Sequence, residues 1–160
     1  MAEYDSREDT YKHIDRVRAL LKDVEDNLFR RATDHDKSKL GHPEKEIFDK
    51  VTPLLKGLTY GSDEYKAQLK EMGVALEHHY AHNRHHAEHW PEGINNMSLM
   101  DLIEQLVDCK AATERHADGS LAKSLVINKT RFKIDDQLAR VLHNTAVELK
   151  ILDVPEEEPK

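Results

Sequence analysis

The stretch Asp63–Trp90, DEYKAQLKEMGVALEHHYAHNRHHAEHW, carries the pattern on which the fold of this chain turns. Leu69, Met72, Leu76, His79, Asn83 and His86 recur at alternating spacings of three and four. At about 100° per residue these positions share one face of a helix. The spacing predicts a single long helix that starts near Ser62 or Asp63. It must end by Trp90, because Pro91 disfavours helical geometry at the residue before it. His79, Asn83 and His86 then face inward. One inward histidine is readily satisfied by a core hydrogen bond, but two with an asparagine between them are costly to bury unless their polar atoms share a partner such as a metal ion. His78, His82, His85 and His89 form a neighbouring stripe, either solvated or lining the mouth of a pocket.

Helical signals continue on both sides. Ser6-x-x-Asp9 is a capping-box variant, and Ile14, Val17, Leu20, Leu21, Val24 and Leu28 follow at helical period, which predicts a first helix from about Glu8 to Arg31. His35-Asp36 falls in a short helical segment that Gly41-His42-Pro43 interrupts. A helix from Glu44 to about Leu55 follows, and Gly57 with Tyr60-Gly61-Ser62 makes the next turn. Ser98 is the expected N-cap of a fifth helix running to about His116. On that helix Leu99, Leu102, Ile103, Leu106 and Val107 are apolar, while Asp101, Glu104, Asp108 and Arg115 lie opposite. Taken alone this is a solvated acidic face, and it becomes a ligand face only if the helix turns it toward the histidines. After Asp118-Gly119 the segment SLAKSLVINKTRFKI is ambiguous, and a last helix covers roughly Asp135 to Lys150. The tail VPEEEPK reads as disordered.

Sparse glycine and proline, 34% charged residues and no alternating β-branched runs give an all-α class. The expectation is a single helical bundle of about six helices over residues 1–152, with an acidic tail at 153–160. A chain of 160 residues can bury a core without a structural metal, so a bound metal is free to serve chemistry. The single cysteine, Cys109, excludes an internal disulfide framework and fits a reducing compartment. The N-terminus lacks the pattern of a signal peptide, and no apolar run approaches the roughly 18 residues of a membrane span. A cytoplasmic protein without a membrane partner is expected. With 31 acidic against 24 basic side chains the net charge is −7, which disfavours a long nucleic acid as partner and leaves a small phosphorylated ligand held by a local basic patch.

The residues also resemble a known superfamily. HDKSK at His35–Lys39 looks like the HD-x-G-K signature of the HD-domain metal-dependent phosphohydrolases in their HD-GYP branch, with Ser38 in place of glycine. HHAEHWPEG from His85 is similar to that branch's paired-histidine stretch without its glycine-tyrosine-proline ending. The helix MSLMDLIEQLVDCKAATERH resembles the one that supplies the superfamily's last aspartate. More closely, the span His13–Arg115, with HDKSKL, YGSDEY, NRHHAEH and DLIEQLVD, looks like a family of small uncharacterised helical proteins of phage and bacteria. The resemblance implies an HD-domain-like helical bundle in a bacterial or phage-infected host cytoplasm. It implies one or two divalent metals, iron or manganese foremost and magnesium, nickel, cobalt or zinc besides, and hydrolysis of phosphate esters.

Carried over by position, His35 and Asp36 would be ligands, with Asp36 bridging two metals; His85 and His86 would match the paired histidines, and Asp108 would close the site. The helical stripe selects His79 and His86 instead, so His86 is common to both readings. Lys39 would match the signature lysine and stabilise phosphate charge. His13 is the one candidate for the superfamily's upstream histidine, yet a continuous helix to Arg31 would hold it roughly 27 Å from that end. Glu44 and Glu104 are expected as carboxylates that orient histidine ligands and relay protons. Asn83, Arg84 and Arg115 would flank the site, and Lys123, Lys129, Arg131 and Lys133 supply a basic cluster for a nucleotide phosphate.

Three functions remain open on these residues. The first is a metal-dependent phosphohydrolase or phosphodiesterase acting on a nucleotide, a cyclic or oligonucleotide signal or another small phosphoester. The second is a di-iron oxygenase on the same scaffold. The third is a non-catalytic metal or ligand sensor, as a homodimer.

Overall fold

A computed structural model describes residues 4–55, 57–58, 62–115 and 119–152. Tyr60-Gly61, the expected fifth-helix end at His116, Asp118 and the acidic tail lie outside the described residues. The chain is all-α: the described residues form seven α-helices and three short 3-10 turns, with no strand among them. No helix among them is long and apolar enough to cross a membrane. The chain divides into two compact units, Met1–His35 and Asp36–Lys160.

The first unit is one helix, α1 (Arg7–Asp34), of 28 residues. Charge pairs one turn apart run along it, Lys12 with Glu8 at 2.6 Å and Arg18 with Asp15 at 2.8 Å, and each adds a few tenths of a kcal/mol, about 0.2–0.5, to the helix. Ser6 is its N-cap residue, but its hydroxyl makes no cap bond; its backbone carbonyl instead accepts from the Thr10 amide and hydroxyl. The capping-box reading of Ser6 and Asp9 is therefore corrected.

The second unit opens on His35's neighbour Asp36, which precedes a 3-10 turn at Lys37–Leu40, so the HD pair lies just before that short helical segment rather than within it. The helix α2 (Glu44–Leu55) follows a cis His42–Pro43 bond and packs against the 3-10 turn, α3 (Asp63–Glu71) and α4 (Gly73–His82). The single long helix expected over this region is in fact two. It breaks at Met72-Gly73 and stops at His82, and Asn83 beyond it is extended (φ −121°, ψ 97°). The amide side chain explains the stop: Asn83 Nδ2 donates to the His79 carbonyl at 2.8 Å, at the end of the helix where carbonyls lack intrahelical partners.

The remaining helices are α5 (Leu99–Thr113), α6 (Leu121–Arg131) and α7 (Asp136–Glu148). Ser98 caps α5 as expected, with a capping box it shares with Asp101; Ser120 and Asp135 cap the other two. The ambiguous segment after Gly119 is thus helical. The apolar side of α5 builds the core with α6 and α7 in two adjoining clusters, one of Leu102, Ile134 and Leu142, the other of Leu106, Leu121 and Ala146. Full burial of each such leucine is worth about 1.5–3 kcal/mol, which fixes the rotation of α5 about its axis. Its acidic side is left facing the histidine segment.

Candidate metal centre

Asp36 sits in the left-handed region, φ +56°, an uncommon conformation outside glycine that aspartate tolerates better than most residues. Its carboxylate meets three imidazoles that arrive from two directions. His79 comes from the last turn of α4, and His85 and His86 come from the segment after Asn83. One donor atom from each of Asp36, His79, His85 and His86 lies within 4.8 Å of the others. His79 Nε2 is 3.3 Å and His85 Nε2 3.6 Å from Asp36 Oδ1. Ligands about 2.1 Å from a tetrahedral ion stand about 3.3 Å apart, so these separations suit one. His79 Nε2 and His86 Nε2, at 2.8 Å, would have to part by about half an ångström to share it.

Two of the imidazoles are held from behind by carboxylates. Glu44, fully buried on the first turn of α2, reaches His79 Nδ1 at 2.9 Å and His78 Nδ1 at 2.6 Å. Glu104 on α5 lies 3.2 Å from His85 Nδ1. A proton on each Nδ1, donated to its carboxylate, leaves Nε2 with a lone pair toward Asp36, the arrangement in which histidine ligates metals. Asp108, one turn further along α5, has Oδ2 3.8 Å from His85 Nε2. Lys39 is ion-paired with Asp36, its ammonium 5.4 Å from the centroid of the Phe48 ring.

The electrostatics favour the neutral forms of His79 and His86. Burial, aided by the charges of His85 and His79, pushes His86 down to about 3. Burial, with Lys39 second, also lowers His79 against the opposing pull of Asp36 and Glu44. Burial would raise the Glu44 carboxyl, but hydrogen bonds from His78, Ser38 and His79 outweigh it and hold it below the usual carboxylate range. Three imidazoles and the Asp36 carboxylate form a nitrogen and oxygen donor set of the kind that fits a divalent ion.

The sequence candidates fall into distinct groups. Asp36, His79, His85 and His86 are brought together, so the helical stripe and the paired-histidine motif each named part of one cluster. The stripe of His78, His82, His85 and His89 does not exist as such, because α4 ends at His82. His82 Nδ1 lies 2.8 Å from the His78 carbonyl, and His89 Nδ1 2.8 Å from that of Tyr80. His35 ends the first unit and joins the cluster's aspartate through a peptide bond. His13 lies 21 residues before Asp34 on an unbroken helix, about 30 Å along it, so it does not approach His35.

The residues expected to bind substrate have other partners. Asn83 is buried and donates to Ser38 Oγ at 2.7 Å. Arg84 grips the buried Asp101 carboxylate at 2.7 and 3.2 Å and stacks on Trp90. Arg131 pairs with Glu88 at 2.5 Å, and Lys129 with Asp136. Each of Asn83, Arg84 and Arg131 thus has a protein partner in the structure. Arg115 is exposed beyond the end of α5, and Lys123 and Lys133 are carried by α6 and the turn after it. Sequence reasoning missed Ser38 as a member of the Glu44 network and Asp101 as the anchor of Arg84. The spacing Ser98-x-x-Asp101 was the available signal for the second.

A sequence model for DUF5662, a family of unknown function, matches residues 2–149, and the chain belongs to that family. No curated protein matches the chain, and no solved structure does.

Proposed function

We propose that this member of the DUF5662 family holds a divalent metal ion on Asp36, His79, His85 and His86 and hydrolyses a small phosphoester, a nucleotide or a cyclic or oligonucleotide signal. The observation that carries the reading is the convergence of one carboxylate and three imidazoles, two of them oriented by Glu44 and Glu104. The order HD, HH and D along the chain, similar to the HD-domain phosphohydrolases, supports it independently, and on that ground Asp108 joins the ligand set. Iron or manganese suits such a set, with magnesium, nickel, cobalt or zinc as other occupants.

A divalent ion bound there would make water nucleophilic near neutral pH and offset charge on the phosphoryl oxygens. The protein's own groups supply the rest. Lys39, ion-paired with Asp36, brings a cation to the cluster and balances charge that builds during phosphoryl transfer. Glu104 accepts a hydrogen bond from the Nδ1–H of His85 and so holds it in the required tautomer; Glu44 does the same for His79.

One observation favours a second reading. Four protein donors suffice to fill a tetrahedral shell, as in structural sites, and a metal sensor would then need no open position. A panel of nucleotides, cyclic nucleotides and dinucleotides, assayed with manganese or iron, separates the two. Hydrolysis should yield free phosphate or an opened phosphodiester and vanish in Asp36→Ala and His85→Ala. A bound ion without turnover on any member would favour the sensor, and oxygen uptake without phosphate release the oxygenase.

A further inference from the structure

On its side away from the histidines, α5 borders a cavity of about 270 Å³ that it shares with α6 and α7. Leu102, Leu106, Leu125 and Leu142 supply walls that are almost wholly apolar. Of its polar liners Gln105, Asn128, Lys129 and His143, Gln105 is the buried one. It is only 8% exposed and lines the cavity, and no described residue hydrogen-bonds its carboxamide. Its amide keeps a small contact with solvent and gives a molecule in the cavity a polar group to meet.

The walls restrict what that can be. Water needs two to four polar partners, and these surfaces offer few beyond the amide itself. A charged ligand would lose its hydration without compensation, since Lys129 at the cavity's edge is committed to Asp136. At roughly 30 Å³ per water-sized group in a liquid, the space accommodates about nine such groups.

We infer that this cavity binds an uncharged, largely hydrocarbon small molecule whose single hydroxyl or carbonyl group meets the Gln105 carboxamide. The site lies on the opposite side of α5 from Glu104 and Asp108 and does not depend on a metal there.

Cys109 also lines the cavity, so its alkylation reports occupancy. The metal-free full chain is titrated with 1-octanol, octane and octanoate, and iodoacetamide labelling at pH 9 and the melting temperature are followed. 1-Octanol should slow labelling about fivefold or more in a saturable way and raise the melting temperature, with octanoate at least tenfold weaker. Gln105→Leu should weaken 1-octanol about tenfold, as loss of one buried hydrogen bond implies, while leaving octane unchanged. Ala139→Phe, or Ala122→Leu should the first variant not fold, fills the space and should abolish protection by both. Absence of saturable protection, protection that survives cavity filling, or tighter binding of octanoate would overturn the inference.

Discussion

Asp36 is the residue on which the candidate site turns, since its left-handed backbone aims the carboxylate at His79 and His85 while Lys39 balances its charge. A non-glycine residue in that region costs of order 1–3 kcal/mol, and such strain concentrates at functional sites. If Lys39 stabilises phosphoryl charge, Lys39→Ala should lower turnover by about 10²-fold with metal content and circular dichroism unchanged; steady-state kinetics beside elemental analysis would show unaltered turnover if it is only a surface lysine. Glu104→Gln should weaken metal affinity about 10- to 100-fold by loosening His85, and calorimetric titration with manganese measures it. Burial, with Asp108 second, pushes the Cys109 thiol up to about 11, so its alkylation rate should keep rising to that pH rather than level off near 9. At this scale much was legible: the HD, HH and D pattern named Asp36, His85 and His86, the helical stripe named His79 and His86, and Glu44 and Glu104 were expected as carboxylates that orient histidines. The ion pairs that occupy Arg84 and Arg131 were not, because each joins segments far apart in the sequence, Arg84 with Asp101 and Arg131 with Glu88.

Among the elements, the end of α4 decides the site. A helix continued through Asn83 would have put His85 on a different face from His79. Its stop at His82 lets the next segment turn His85 and His86 back onto Asp36. Periodicity saw the inward stripe but not the break, since Asn83 fits the stripe and acts instead through its amide on the His79 carbonyl and Ser38. Asn83→Ala should therefore cost about 1–3 kcal/mol in urea unfolding, through two lost hydrogen bonds in a buried setting; a change within a few tenths would mean that the stop is set elsewhere. The fifth helix was legible as amphipathic, and only its packing on α6 and α7 settles that the acidic face meets histidines rather than solvent.

For the whole molecule, the all-α class followed from composition and period, whereas the division at His35 had no signature in the sequence. The histidine cluster also sets how stability depends on pH. His79 and His86 are lowered in the fold, His86 to about 3, and an unfolded histidine titrates near 6.5. Between those values the unfolded chain binds more protons, so their contribution is complete above about pH 6.5 and is lost as pH falls toward 3. Urea unfolding of the metal-free chain at pH 7.5, 6 and 5 should show declining stability, with a smaller decline in His86→Asn; a flat profile would contradict the neutral cluster. The central claim is that these four residues bind a metal ion. Protein prepared without a histidine tag, stripped and then titrated with manganese, iron or zinc, measures this directly. At least one ion per chain should bind, and His79→Ala with His85→Ala should lose it while remaining helical. Failure of the folded wild-type chain to retain any of these ions, or equal retention by the double variant, would contradict the account.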